Sequence, residues 1–353
     1  QPIVFDVNKE QLFNLHFNNG VYDLEAKEFR PREHSDFVTK KLDWDYNAVV
    51  NEKILKEVEA DFKKIQPDKH EFALMMSWMA YCLCGDTSRN VIKFNIGTKA
   101  GNGKSTVPEL HQLVFPIYSK VLDQDFFKKG NSKRHKTAIH LLRSPIRMTF
   151  IEEIDEKQLD VSYMKNFIAG LLSVEVLFGT EEQGRIQSKT QVIGNEAPVM
   201  DSDNGILRRG LQQNFESQFL PEEAYNVSIQ GGATRVFKED INYKKKYEND
   251  EYKNAYLQLL LSHFDVNFKI PKKNRDAFKM TLDSNNNDDS ILDKIELCLI
   301  GLTKKDAIAE FSPLPFRDIK KVIEAKYGSI YNCYKKMNGV KGVFEGIRII
   351  PTL

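Results

Sequence analysis

The chemistry of this sequence is concentrated around Lys104. It lies in the run Gly97-Thr98-Lys99-Ala100-Gly101-Asn102-Gly103-Lys104-Ser105-Thr106, behind an apolar strand-like stretch at 90–96 and ahead of a helical one. In a glycine-rich turn between a strand and a helix, backbone N–H groups converge on a phosphate chain. The lysine neutralises the β and γ oxygens, and the adjacent hydroxyl can ligate Mg²⁺. Thr98, Gly101, Asn102, Gly103, Lys104, Ser105 and Thr106 are therefore the candidate nucleotide-binding residues, with ATP and Mg²⁺ as the expected cofactors. One position departs from the strict Walker A spacing: Thr98 stands five residues before Gly103, and the glycine comes one residue earlier, at Gly97.

A second apolar run, 146–155, ends in the adjacent carboxylates Glu152 and Glu153. Phosphoryl transfer passes through a loose, highly charged transition state, so positioning and electrostatics do most of the work. Such a pair suits it, with one acid directed at the metal and the other at the attacking water. Glu152 is expected in the metal shell with Ser105 and Glu153 on the water, although the two roles could exchange. A third strand over 190–194 ends at Asn195, whose amide could orient that water. Beyond an Asp203-Asn204-Gly205 turn come Arg208 and Arg209, whose planar guanidinium groups suit bidentate contact with a γ-phosphate, often from a neighbouring subunit. The bland readings are an acidic strand end, a turn asparagine and a surface ion pair, and the conjunction with Lys104 weighs against them.

These groups need a scaffold, and the alternation of strand-like and helical runs from about 91 to 219 predicts an α/β fold. The preceding helices are read at 51–65 and at about 70–84, the latter ending at Gly85 as a left-handed cap. The second carries Phe72, Leu74, Met75, Met76, Trp78 and Met79 and is expected to be core. A charged helical stretch is read over 242–263, its Lys244-Lys245-Lys246 run as a solvated face, and the polar run 283–290 as a linker. The domains expected are thus an N-terminal region at 1–65, an ATPase core with its preceding helices at 66–240, a helical segment with linker at 241–290, and a small winged-helix-like unit at 291–353. The 353 residues suffice for several cores at 41% hydrophobic content, which excludes general disorder. Net charge is only +1, so any polyanion surface must come from local segregation. Four cysteines without zinc-like spacing fit a reduced, intracellular protein. The chain has no run long enough to span a bilayer, and Gln1 follows no signal-peptide pattern, so a fragment of a longer protein is expected.

The order of motifs resembles that of the superfamily 3 helicases of DNA viruses and phages. It runs Gly-Asn-Gly-Lys-Ser-Thr, Phe-Ile-Glu-Glu, Met164-Lys165-Asn166-Phe167-Ile168-Ala169-Gly170, Ile-Gly-Asn195-Glu-Ala-Pro, then Leu-Arg-Arg. The Asn-Gly-Val-Tyr-Asp-Leu-Glu stretch near the start looks like the collar region of poxvirus-type primase-helicases. The resemblance implies an AAA+ P-loop core in a homo-hexameric ring, ATP hydrolysed between subunits, and movement along single-stranded DNA during viral or phage genome replication. It also implies a possible upstream primase domain, other replisome partners, no membrane association, and a place in the host cytoplasm or a viral replication site.

Family members carry a DNA-contacting β-hairpin between the acidic strand and the asparagine strand. The matching segment here is 176–190, so Arg185 and Lys189, with Lys165 before them, are the expected DNA contacts. Residues 125–147 hold seven basic residues against one acid, and 302–353 ten against five. The first run is read evenly as an outer DNA surface or a solvated face. Two other functions stay open: a P-loop enzyme of another class, such as a small-molecule phosphotransferase, and a non-enzymatic replication-initiation module that binds nucleotide without turnover.

Overall fold

The computed structural model describes residues 6–7, 11–154, 159–175, 181–196, 198, 200 and 204–293. Towards the C-terminus it describes 295–297, 302–303, 319, 322–323, 335–337, 340–344 and 347–349. The chain divides into two compact units, one of residues 1–198 and 202–279, the other of 199–201 and 280–353. Residues 1–65 do not form a unit of their own, because Leu15, Trp44 and Phe62 share one buried cluster with Phe115 and Phe150.

The first unit begins with an antiparallel meander, β1 (Asn14–His16), β2 (Val21–Asp23) and β3 (Glu28–Arg30). Two helices come next. α1 (Glu52–Ile65) starts at Asn51, whose side chain caps the N–H groups of Lys53 and Ile54, and α2 (Lys69–Tyr81) is capped in the same way by Asp68. The apolar residues expected in the core along α2 are all buried. The helix stops at Tyr81, short of Gly85, which is no left-handed cap. A Cβ on Gly85 would lie 2.6 Å from Gln187 Oε1 and 2.8 Å from Leu12, so glycine serves close packing there.

The centre of the unit is a five-stranded, wholly parallel sheet. Its strands are β4 (Ile92–Ile96), β5 (Ser119–Val121), β6 (Met148–Glu152), β9 (Lys189–Gly194) and β10 (Gly210–Asn214), in the spatial order β10-β4-β9-β6-β5. Between them run α3 (Thr106–Val114), α4 (Arg134–Leu142), α5 (Val161–Ile168) and α6 (Asn204–Leu207), and a hairpin of β7 (Leu171–Glu175) and β8 (Glu181–Arg185). The strands lie in register, Ile96 beside Gly194 and Glu152 beside Ile193, so their C-terminal ends form one edge. In parallel sheets that edge is where ligands bind.

The hairpin differs from expectation in position. It occupies 171–185, with residues 176–180 outside the described part, while Lys189 and Thr190 belong to the central strand β9. The resemblance assigns Lys189 to the hairpin and Thr190 to its end as well as to the third strand, and the polar character of this stretch requires partners once buried. In the sheet it is satisfied internally: Thr149 Oγ1 lies 2.7 Å from Thr190 Oγ1 and 3.1 Å from Ser188 Oγ, and Asn95 Nδ2 donates to Gln191 Oε1 at 3.0 Å.

After the sheet come β11 (Gln218–Leu220), α7 (Glu222–Gln230) and β12 (Val236–Lys238), with β11 and β12 paired in parallel. The stretch read as one helix over 242–263 is a 3-10 turn at Tyr243–Glu248 and a separate α8 (Asp250–Ser262), divided where Asn249 caps α8. α9 (Lys272–Asp293) continues through the polar residues expected to be a linker, since the propensity cost of Asn, Asp and Ser is only about 0.5 kcal/mol each. In the second unit the described residues include an antiparallel pair, Ile295–Leu297 with Ile347–Ile349, and a three-stranded set, Leu302–Thr303, Val340–Phe344 and Lys335–Met337. The helices expected of a winged-helix unit fall mostly outside the described residues.

Candidate nucleotide site and the edges of the sheet

The glycine-rich loop leaves β4 at the C-terminal edge and enters α3. Its shape explains the displaced glycine. A Cβ on Gly97 would stand 2.2 Å from Asn102 Nδ2 and 2.8 Å from Phe215 O, so only glycine fits beneath the turn, whereas Thr98 is exposed and its side chain is unconstrained. Asn102 is buried. Its Nδ2 donates to Phe215 O at 3.3 Å and its Oδ1 accepts from Lys104 N at 3.2 Å, which holds the loop closed from inside. Gly101 and Gly103 have φ of +65° and +84°, a conformation that costs other residues about 1 kcal/mol or more. Pro108 sits in the first turn of α3, where the missing N–H is an orphan in any case.

Lys104 Nζ lies 3.1 Å from Gly97 O and 3.2 Å from Asn195 Oδ1. Both partners are neutral, so the ammonium keeps its full charge for an anion. Asn195 comes directly after β9 and Glu152 ends β6, which brings the residues predicted from three separate strands to the same edge. Glu152 and Glu153 are both exposed, and Glu153 has φ of 52°, a left-handed conformation uncommon outside glycine. Its N–H donates to Ile193 O at 2.9 Å, which anchors the turn.

Two features here escaped the sequence reading. Glu109, one turn into α3, brings its carboxylate against that of Glu152. Burial first, then the charge and contact of Glu109, push the Glu152 carboxyl above its usual value. Glu109 also pairs with Lys244. The lysine run taken for a solvated face is thus tied into the site, with Lys246 bridging Glu57 at 3.1 Å, Asp240 at 3.3 Å and Asp61 at 3.4 Å. This segment, Ile65 of α1, Gly101, Gly103 and Thr106 of the loop, and Phe219 enclose a cavity of about 420 Å³ beside the phosphate loop. No local motif marks either feature, because Glu109 and Lys244 are 135 residues apart.

Arg208 and Arg209 lie at the other end of the sheet. They precede β10, whose Gly210 pairs with Ile92 at the start of β4, and Ile92 N donates to Arg209 O at 3.0 Å. A five-residue strand, roughly 16 Å long, separates them from the glycine-rich loop. Arg209 Nη1 donates to Gly205 O at 2.6 Å, and Arg208 is exposed. Neither belongs to the phosphate site of its own chain.

Of the three expected DNA contacts, one is sealed away from any ligand. Lys189 must be corrected. It is 3% exposed in β9, its ammonium donates to Cys84 O and lies 5.0 Å from the Tyr81 ring centre, and burial pushes its pKa below the usual lysine value. A lysine held in this way cannot reach a phosphate backbone. Arg185 is exposed at the base of the hairpin, opposite Leu171, and Lys165 is partly exposed on α5. Arg147, counted in the basic run 125–147, is buried too. Its guanidinium donates to Gln11 O at 2.9 Å, to Asn14 O at 2.7 Å and to Leu83 O at 2.5 Å, and lies over the Tyr118 ring at 4.3 Å. Among the described residues no cluster of three or more His, Cys, Asp or Glu side chains could hold a metal ion, and no helix is long and apolar enough to cross a membrane.

Comparison with known proteins bears on this arrangement. Residues 8–79 match the family described as D5 N terminal like. The chain is 26% identical over 262 residues to a putative helicase of Acanthamoeba polyphaga mimivirus, covering 72% of this chain and 27% of that protein. It is 23% identical over 288 residues to a putative helicase of Invertebrate iridescent virus 6, covering 77% of this chain and 28% of the relative. It therefore spans little more than a quarter of the length of these curated relatives. Among solved structures, the apo C-terminal region of NrS-1 aligns over 97% of this chain and 84% of that one, with a TM-score of 0.47 and 12% identity. An A-form crystal of the same region gives 0.46 over 80% of this chain and 60% of that one, also at 12% identity. Its D5-like N-terminal segment and its similarity to two viral putative helicases support the resemblance to viral superfamily 3 primase-helicases that the order of its motifs implied.

Proposed function

We propose that this chain is the ATP-hydrolysing motor part of a viral replicative helicase, acting on single-stranded DNA as a homo-hexameric ring in which each nucleotide site is completed by the neighbouring copy. The observation that carries the reading is the division of groups between the two edges of the sheet. Lys104, Asn195, Glu152 and Glu153 share one edge, and Arg208 and Arg209 stand at the opposite one, where they can serve only a site on another copy.

In this reading the loop N–H groups and Lys104 hold the β and γ phosphates of ATP, and the ammonium exchanges the neutral oxygens of Gly97 and Asn195 for charged ones. The adjoining cavity takes the base and ribose. Ser105 and Glu152 would hold Mg²⁺, which neutralises charge on the β and γ oxygens when bound. The carboxylate of Glu152, pressed against that of Glu109, is a donor set that a cation relieves. Glu153 and the Asn195 amide orient the attacking water, and an arginine from the neighbour meets the charge developing on the γ-phosphoryl group. A primase domain upstream, other replisome partners and a winged-helix role for the C-terminal unit belong to the same reading.

Mixing a Lys104→Ala chain with an Arg208→Ala/Arg209→Ala chain tests it. Each alone should lack ATPase activity, and the mixture should recover a measurable part of it at interfaces that pair an intact loop with intact arginines. A co-assembled mixture with no recovery would remove the arginines from the neighbour's site.

A further inference from the structure

The β7–β8 hairpin and α4 pack against each other, yet they carry opposite charge. Residues 171–185 of the hairpin hold Glu175, Glu181 and Glu182 against the single cation Arg185. With Lys189 removed into the sheet, this hairpin is net acidic, a poor match for a phosphate backbone.

The charge lies on α4. Its Ala138, Leu141 and Leu142 are buried, and on the opposite side Lys133, Lys136, His140 and Arg143 recur at i, i+3, i+7 and i+10, all exposed and on one face. At about 1.5 Å per residue the stripe is about 15 Å long. One strand of a duplex rises past about four phosphates over that length, so Lys133, Lys136 and Arg143 supply positive charge on the scale of a few phosphate contacts. Two other elements extend it. Lys40 Nζ donates to Ser144 Oγ at 3.2 Å, Ser144 Oγ lies 3.4 Å from His140 Nδ1, and Lys120 of β5 stands near His140. Burial, then Lys120 and Lys40, lowers the His140 pKa, and no carboxylate acts against them. Asp160 is engaged by Arg134 at 3.2 Å. The neighbouring Phe126 and Phe127 are buried, so neither phenyl ring is offered on this face. Single-strand binders stack bases on aromatic side chains, whereas a duplex shows a protein only its backbone unless a groove is entered.

We propose that the Lys133–Lys136–His140–Arg143 face of α4, with Lys40 and Lys120 beside it, is a contact surface for the backbone of duplex DNA, separate from the single-strand track. It extends the helicase reading by giving the motor a hold on DNA not yet opened.

The test compares wild-type protein with Lys133→Ala/Lys136→Ala/Arg143→Ala in binding a blunt duplex and an oligothymidylate over a range of salt, with ATPase measured alongside. The changes are confined to an exposed face, and the melting temperature checks the fold. The slope of log affinity against log salt on duplex should shrink by about 2 to 3, while the slope on oligothymidylate changes by less than about 1. Basal ATPase should be unchanged, and Lys133→Arg/Lys136→Arg should bind duplex as wild type does. An unchanged duplex slope, or equal losses on both DNAs, would overturn the assignment. Wild type with DNA-stimulated ATPase but no duplex binding would sink the surface and leave the motor reading standing. Duplex binding that depends on α4, in a chain without ATPase, would do the reverse.

Discussion

The two edges of the central sheet use the same residue types to opposite ends. At the C-terminal edge, Lys104 rests on two neutral oxygens, and the acids beyond β6 are exposed. At the N-terminal edge, Arg147 and Lys189 begin or precede neighbouring strands and are sealed among the carbonyls of Gln11, Asn14, Leu83 and Cys84. A cation with weak neutral partners at an open edge is available to a ligand. One that satisfies several buried carbonyls fastens the N-terminal segment and the end of α2 to the sheet. Charge in the sequence does not distinguish them, and burial does.

The comparison is broken most directly by truncating one cation from each edge. Lys104→Ala should lower ATP turnover by about a thousandfold, the scale of losing a group that stabilises transition-state charge. It should move the unfolding free energy by no more than about 0.5 kcal/mol. Arg147→Ala should do the opposite. Three carbonyls lose a charged donor in a closed interior, and stability should fall by about 3 to 5 kcal/mol. Urea unfolding and ATPase measured on both variants decide the matter, and similar profiles for the two would erase the distinction between the edges.

The N-terminal edge also makes a prediction about pH. His16, whose backbone N–H donates to Tyr118 Oη, lies in the Arg147 region, and burial, with Arg147 second, pushes its pKa down to about 4. Burial, with a further contribution from Lys189, takes His111 down to about 3. Both folded values lie below the unfolded one, so the unfolded chain takes up protons first as pH falls. The stability from these neutral histidines is complete above about pH 6.5 and is lost below it at up to about 1.4 kcal/mol per pH unit for each. The loss from His16 levels off near pH 4, and that from His111 near pH 3. At pH 5 each should cost about 2 kcal/mol. The urea midpoint should therefore drop between pH 7 and 5, and His16→Gln should drop less; a flat midpoint would mean that these imidazoles are protonated as easily in the fold as outside it.

Legibility in the sequence divides along the same line. β4 and β6 are buried on both faces, and their largely apolar runs, like the Val-Ile-Gly end of β9, each lead to a chemical group and could be read directly. The helix at 52–65 was equally plain, because its apolar period is local. What could not be read depends on partners distant in sequence. The hairpin position was carried over by resemblance as 176–190, because the hydroxyls of Thr149, Ser188 and Thr190 satisfy one another only across β6 and β9 and leave no local mark of where the strand begins. Gly97 looked misplaced until Asn102 was seen beneath it, and the Glu109–Lys244 pair has no sequence signature. The continuation of α9 through an Asn- and Asp-rich run was hidden because small propensity costs are outweighed in a long helix.

The smallest expected effect separates the edges most sharply, because it concerns a lysine expected to touch DNA. Lys189→Met replaces a buried ammonium with an apolar chain of similar length, beside the Tyr81 ring and the Cys84 carbonyl. Removing a buried charge recovers its desolvation cost, whereas leaving the carbonyl without its donor loses a hydrogen bond, and these oppose each other. The net change should stay within about 1 to 2 kcal/mol, with the salt slope for single-stranded DNA unaltered. Arg185→Ala, on the exposed hairpin strand, could remove at most one phosphate contact and about 0.7 from that slope. If Lys189→Met instead lowered the slope by as much as a surface lysine does, the ammonium would have to leave the sheet when DNA binds. The N-terminal edge would then be a site that opens, not a fastening.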